Sequence, residues 1–562
     1  MIKTAAAMLA LLGLTACATM PDQAITPLTD QAVFSDIRAD STRGQMEKLT
    51  KPQYENPIMP GYYPDPSIER VGDDYYLINS SFAYYPGIPI FHSKDLVNWT
   101  QIGNAIDRPG MLDFSGLATS RGVFAPDISY HDGTFYIINT CVGCKENFLI
   151  TAKDPAGPWS DPVWFDFEGI DPSILWDDNG KVYIANNGPP EGQPLYEGHR
   201  AIWLQEFDVA TNKLVGPRKV VVNGGVDMSK KPIWIEGPHI FKKDGFYYLM
   251  AAEGGTEVNH SEVIFRSKDV FGPYEPSKNN PILTQRDLDP KRPSPITSSG
   301  HADLVETQNG QWFAVFLATQ PYDGNLFNTG RETFMLPVTW KDGWPIILPH
   351  GESIPLAVDL PNIPGQVQEP HYTRYSHHFG YSADMDHKPL DWLQVRTPDK
   401  PFLTVFNPET VGLTALPEAI GDTASHPAFI GLRQRHVFAT FSSKLDYKPL
   451  AEGDRAGIMA IQNDNFYIFY GLAMRNGKTV LEVTRRAGPT DPRDGVVIAS
   501  IPAPNGAVRI KTEINAGKAR FTYGPEGAET MVAQDVDATN LSTDKAGGFV
   551  GTLIGLYAYK QP

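Results

Sequence analysis

Short runs in which apolar and polar residues alternate recur along the first two-thirds of this chain, each broken by a polar tip and followed by an aromatic-rich segment. Five share one form: PDPSIERVGDDYYLIN from Pro64, APDISYHDGTFYIIN from Ala125, IDPSILWDDNGKVYIAN from Ile170, EGPHIFKKDGFYYLMAA from Glu236 and GHADLVETQNGQWFAVF from Gly300. Alternation of this length predicts half-buried strands, and the Gly, Asp and Asn tips predict tight turns between them. Aligned on their first apolar residue (Ile68, Ile128, Ile174, Ile240, Leu304), the copies carry Asp65, Ala125, Asp171, Gly237 and His301 three positions earlier, with Glu236 just before Gly237. Strand–turn–strand repeats of this kind predict a β-propeller, here five-bladed, in which the innermost strand of each blade lines a central channel. Equivalent strand entries then converge on the axis, so three carboxylates and one histidine are expected in one pocket.

The texture changes after Trp344-Pro345. Residues 350–374 are proline-rich without strand alternation and read as a linker packed on the surface. From 375 to 562 short alternating runs return, among them Phe429–Tyr447, Ala456–Tyr470, Val508–Ile514 and Phe549–Tyr559. No helix-period segment of useful length accompanies them, so a second, sandwich-type β domain is expected. The fold predicted is all-β, with the propeller over 55–349. Two proline-rich loops, Asn187–Arg200 and Gln285–Thr297, are long enough to wall the pocket mouth.

At the N-terminus, Lys3 and the apolar run Ala5–Leu12 form a processing signal over 1–17. Leu14-Thr15-Ala16-Cys17 resembles a bacterial lipobox, which implies a lipid anchor at Cys17, with ordinary signal cleavage as the alternative. Ala18 replaces the aspartate that retains lipoproteins in the inner membrane, so the periplasmic face of the outer membrane is the expected location. The polar stretch 18–54 reads as a tether.

The 562 residues carry a formal net charge of −17, which argues against nucleic acid and anionic membrane surfaces as partners and suits a neutral ligand. Besides Cys17 there are two cysteines, Cys141 and Cys144. They lack the second pair that a structural zinc site needs, and an oxidised pair in an oxidising compartment is the expected state.

Carboxylates that share a confined site are driven apart in pKa, so that one serves as base while another stays protonated as acid. Hydrolysis of a glycosidic bond needs this division. Asp-Pro at a strand entry is also ordinary turn chemistry, but three acids at one repeat position favour the site.

At these residues the chain resembles glycoside hydrolase family 43. The resemblance rests on Gly61-Tyr62-Tyr63-Pro64-Asp65-Pro66-Ser67, Gly169-Ile170-Asp171-Pro172-Ser173 and Glu236-Gly237-Pro238-His239, in the family's order within about 56–349. It implies Asp65 as general base, Glu236 as general acid and Asp171 as the group that tunes and orients the acid. Gly330-Arg331-Glu332-Thr333 resembles a motif whose arginine contacts sugar hydroxyls. Phe82 and Phe124 match aromatics around the terminal sugar, although many xylosidases of the family have Trp in place of Phe124; ordinary blade packing is the competing reading for both.

His301 matches a histidine that, in family members, lies beside a hydrated calcium ion or contacts the catalytic carboxylates. Hard cations prefer several oxygens, so calcium here would be structural, no cofactor is required for the chemistry, and a core histidine is an equal reading. The resemblance also implies a lectin-like (jelly-roll) C-terminal sandwich that lends a loop to the site. The expected activity is inverting exo-hydrolysis of terminal β-D-xylosyl residues from xylo-oligosaccharides. An α-L-arabinofuranosidase on the same site is the alternative, and a non-catalytic glycan-binding lipoprotein is the second.

Overall fold

In the computed structural model, which describes residues 30–43, 49, 51–365, 389–562 and the backbone of 375–378, each of the five repeats opens an antiparallel sheet. The sheets follow one another along the chain, beginning with Ser67–Val71, Asp127–His131, Ile170–Trp176, Glu236–Lys243 and Thr297–Glu306. Within each, the next strand pairs back through a tight turn. Between Glu236–Lys243 and Phe246–Glu253 the turn is Asp244-Gly245, with φ of 50° and 73°. Two consecutive positive φ values match the right-handed twist of the flanking strands, which is why Asp-Gly occupies such tips. The five opening strands adjoin in cyclic order, the last lying beside the first, so the repeat closes into a ring.

The second unit is a sandwich of two antiparallel sheets. One has eight strands and the other runs Ala428–Arg433, Leu553–Tyr559, Arg455–Asn463, Phe466–Arg475, Lys478–Ala487, Val496–Pro502. Their inner faces share one core that includes Phe34, Phe441, Ile458, Tyr470, Ile510 and Leu556.

Two expectations need correction. The stretch 18–54 is not a tether over its described part, because Gln31–Thr42 is a strand in the middle of the eight-stranded sheet, between Thr410–Thr414 and Phe438–Asp446. Its alternation was hidden by a bulge. Ala32 and Phe34 face the core, then Asp36 takes φ 48°, the register shifts, and Ile37 and Ala39 face inward on the opposite parity. The segment 350–374 is not a plain linker either, since Ala357–Asp359 pairs with Gln53–Glu55. The N-terminal signal and Cys17 lie outside the described residues.

The two units share a core. Tyr62, Phe82 and Tyr84 of the ring pack with Phe429, Met459, Phe469, Val550 and Tyr557 of the sandwich. Strand Gln394–Val395 pairs with Tyr84–Tyr85 across the boundary. The fully buried Arg396 pairs with Asp464, whose other oxygen accepts the Thr119 N–H at 3.0 Å. Removing one partner of such a pair costs about 3–5 kcal/mol. This junction ties the sandwich to the ring.

Candidate active site

Four of the five strand entries share an unusual backbone. Asp65, Asp171, Gly237 and His301 have φ of 51°, 53°, 55° and 53°, while Ala125 does not join them. In three sheets the register shifts at this point, between Ile170 and Ser173, Glu236 and His239, and Gly300 and Asp303. Such a bulge re-aims a side chain out of the strand's alternation, here towards the axis. A left-handed residue with a Cβ costs about 1–2 kcal/mol and persists only where its surroundings fix it, as at functional sites. At 237 it is the close approach that favours glycine: a Cβ there would lie 2.7 Å from His301 Nε2.

Asp65, Asp171, Glu236, His301, Arg331, Phe82 and Phe124 all line one pocket of about 690 Å³. Asp65 is buried, and burial alone would raise its pKa. Arg331 Nη1–H donates to Oδ1 at 2.8 Å, Arg331 Nη2–H to Oδ2 at 3.4 Å and Ser80 Oγ–H to Oδ2 at 2.6 Å. These hold Asp65 below its ordinary value, and His301 Nδ1 lies 3.8 Å away. Asp171 accepts the Gly237 N–H at 3.2 Å; burial and the charge of Asp65 lift it to about 7. Glu236 is raised well above the ordinary range by burial, then by the charges of Asp171 and Asp65. Burial lowers His301 to about 4, leaving it neutral above that pH.

Three phenylalanines pack against one another in the pocket lining. Phe549 stacks on Phe82 at 5.7 Å and 20° and meets Phe124 edge-on at 5.7 Å, while the Arg331 guanidinium lies 5.5 Å from the Phe549 ring centre. Phe549 belongs to the sandwich loop before Leu553–Tyr559; its N–H donates to Ser120 Oγ at 2.9 Å and its carbonyl accepts from Arg331 Nη2 at 3.5 Å. The sequence offered no signal for it, because its partners lie more than two hundred residues away. The other walls are Arg200, Ile233, Trp234, Gly254–Glu257 and Asn259. Of the two loops expected at the mouth, one contributes Arg200. The other contributes Thr297 to a neighbouring groove of about 250 Å³ beyond Phe549. Cys141 and Cys144 form a disulfide at the end of strand Thr134–Val142.

One turn deeper, Asp127, His239 and Asp303 bring a donor atom each within 4.8 Å of one another, the one grouping among the described residues with metal-ligand chemistry. It does not include His301. Calcium takes six to eight oxygens, and here the carboxylate oxygens are already engaged. Asp127 Oδ2 accepts from Ile174 N–H, Asp303 Oδ2 from Ser67 Oγ–H and Ile68 N–H, and Asp303 Oδ1 from Leu304 N–H. The remaining oxygen, Asp127 Oδ1, faces His239 Nδ1 at 3.3 Å. These three groups alone do not supply the six to eight oxygens of a calcium shell.

The chain is similar to known proteins along most of its length. Residues 54–345 match the model of glycosyl hydrolases family 43, and 384–562 match that of the beta xylosidase C-terminal Concanavalin A-like domain. The chain is 39% identical over 512 residues to a xylosidase/arabinosidase of Butyrivibrio fibrisolvens, covering 90% of this chain and 95% of that one. It is 37% identical over 519 residues to a non-reducing end alpha-L-arabinofuranosidase of Bacteroides ovatus, covering 91% and 92%. The crystal structure of a GH43_12 protein from a capybara gut metagenome superposes with a TM-score of 0.84 at 38% identity, over 95% of this chain and 99% of that one.

Proposed function

The chain belongs to glycosyl hydrolase family 43, and from that premise we propose that it is an inverting exo-glycosidase releasing terminal β-D-xylosyl residues from xylo-oligosaccharides. The observation that carries this reading is the opposite protonation setting of two carboxylates in one pocket. Asp65, held ionised by Arg331 and Ser80, takes a proton from the attacking water. Glu236, held protonated by burial and by the charges beside it, gives a proton to the glycosidic oxygen. Asp171, ionised above about 7, sets its charge beside the acid and accepts the Gly237 N–H at the strand entry. This is the acid–base division that single displacement at an anomeric carbon requires.

The five sheets, read as five blades, bring these groups to the channel mouth. The packed rings of Phe82, Phe124 and Phe549 beside the carboxylates support cleavage from a chain end. That apolar wall also suits a pentopyranose such as xylose, which lacks a hydroxymethyl group needing polar partners. The leaving group lies on the acid's side, towards Ile233, Trp234 and Glu257. An α-L-arabinofuranosyl substrate is the second reading, supported by what the Bacteroides ovatus relative is named for. Leu14-Thr15-Ala16-Cys17 supports attachment to the cell envelope through a lipid.

Assay of p-nitrophenyl β-D-xylopyranoside beside p-nitrophenyl α-L-arabinofuranoside tests the assignment. The xyloside is expected to have the higher kcat/KM. The reverse order transfers the assignment to the arabinoside, and inactivity on both overturns it.

A further inference from the structure

The repeat position just before the aligned apolar residue holds Ser67, Asp127, Ser173, His239 and Asp303, one residue per sheet. All five are committed to neighbouring sheets. Asp303 accepts from Ile68 N–H at 2.9 Å and from Ser67 Oγ–H at 3.0 Å, tying the fifth sheet to the first. Ser67 Oγ accepts the Ile128 N–H at 3.1 Å, tying the first to the second. Asp127 accepts the Ile174 N–H at 3.0 Å, tying the second to the third, and Ser173 Oγ–H donates to the Pro238 carbonyl, tying the third to the fourth. His239 closes the circuit, its Nδ1 lying 3.3 Å from Asp127 Oδ1 and 3.6 Å from Asp303 Oδ1.

The circuit lies one layer beneath the catalytic carboxylates and touches each of their strands. Ile68 follows Asp65 by three residues, Ile174 follows Asp171 by three, and His239 follows Glu236 by three. We infer that His239 is a positioning residue: a buried ring, clamped between Asp127 and Asp303, that closes the circuit and holds the three catalytic carboxylates in mutual register. Burial works against its charge, but the carboxylates of Asp303 and Asp127 prevail and lift its pKa to about 9. Without that charge, Asp127 and Asp303 face each other across the channel uncompensated. They then relax by moving, and the backbone N–H groups they hold move with them. A displacement of about 1 Å at a reacting group costs on the order of 10²-fold in rate.

The sugar-binding wall of Phe82, Phe124 and Phe549 is not part of the circuit. The inference rests on the proposed roles of Asp65, Asp171 and Glu236, so activity of the wild type on aryl pentosides is established first; its absence would count against those roles and not against the clamp. In an active enzyme, His239→Gln is expected to lower kcat by about 10²-fold, with KM within about threefold of the wild type. The loss should be equal for aryl leaving groups of high and low pKa, since base and acid are displaced together. Asp127→Asn, which keeps an acceptor for Ile174 N–H, should show the same split in milder form and serves where His239→Gln does not fold.

Wild-type kcat in folded His239→Gln would overturn the inference, as would a loss confined to KM or to poor leaving groups. So would activity of the wild type that is abolished by a chelator and restored by calcium, which would assign the cluster to a metal.

Discussion

Replacing Arg331 by Gln should shift the acidic limb of the pH–rate profile upward. Arg331 and Asp65 are only 6% and 4% exposed, and the guanidinium makes two charge-assisted contacts to the carboxylate, at 2.8 and 3.4 Å. An opposite charge at such distance lowers a carboxyl pKa by about 1–3 units. His301, neutral above about 4, cannot replace it. Burial then dominates, so Asp65 in Arg331→Gln titrates above its ordinary 3.8 instead of below it. The acidic limb of kcat/KM should rise by about 1–3 pH units, and each unit costs about tenfold in ionised base at a pH below the limb.

Arg331→Lys, which keeps the charge without the fork, should show a smaller shift. Stability gives the companion reading. Asp65 has a depressed folded pKa, so the stabilisation it draws from Arg331 is present above 3.8 and lost as pH falls through its folded value. The gap in Tm between wild type and Arg331→Gln should therefore be wide at pH 7 and close in acid. An unmoved acidic limb with activity scaled down equally at every pH would refute the reasoning and leave Arg331 as a sugar-binding residue alone.

Two further outcomes are expected. Phe549→Ala removes a ring stacked on Phe82 and edge-on to Phe124, so Tm should fall with the loss of contacts worth about 0.5–1.5 kcal/mol each, and KM for the xyloside should rise by steady-state kinetics while the acidic limb stays in place. Asp171→Asn removes the charge that, after burial, most raises Glu236, so the alkaline limb should move to lower pH because the acid loses its proton earlier; an unshifted limb would leave Asp171 with a structural or sugar-binding role.

The ring was legible because its chemistry is periodic: one strand-entry position recurs five times, and closure of the sheets turns equal positions into spatial neighbours. Asp65, Asp171, Glu236 and His301 were therefore placed together from sequence, and Arg331, Phe82 and Phe124 by resemblance, and all seven line the pocket. What was not legible depends on local irregularity or on docking. The bulge at Asp36 reverses the parity of Gln31–Thr42 and disguises a central strand as a polar tether. Phe549 reaches the pocket only because Tyr62, Phe82 and Tyr84 share a core with the sandwich, a packing relation with no periodic trace. Trp234, 41% exposed at the mouth, carries no repeat signal either, because φ 53° takes it out of alternation.

The central claim is that Asp65 and Glu236 act on opposite sides of the anomeric carbon in a single displacement. Proton NMR of the first sugar released from an aryl β-D-xyloside, recorded before mutarotation, tests it most directly. The account predicts that α-xylose appears first and the β-anomer only later; β-xylose as the initial product would contradict it.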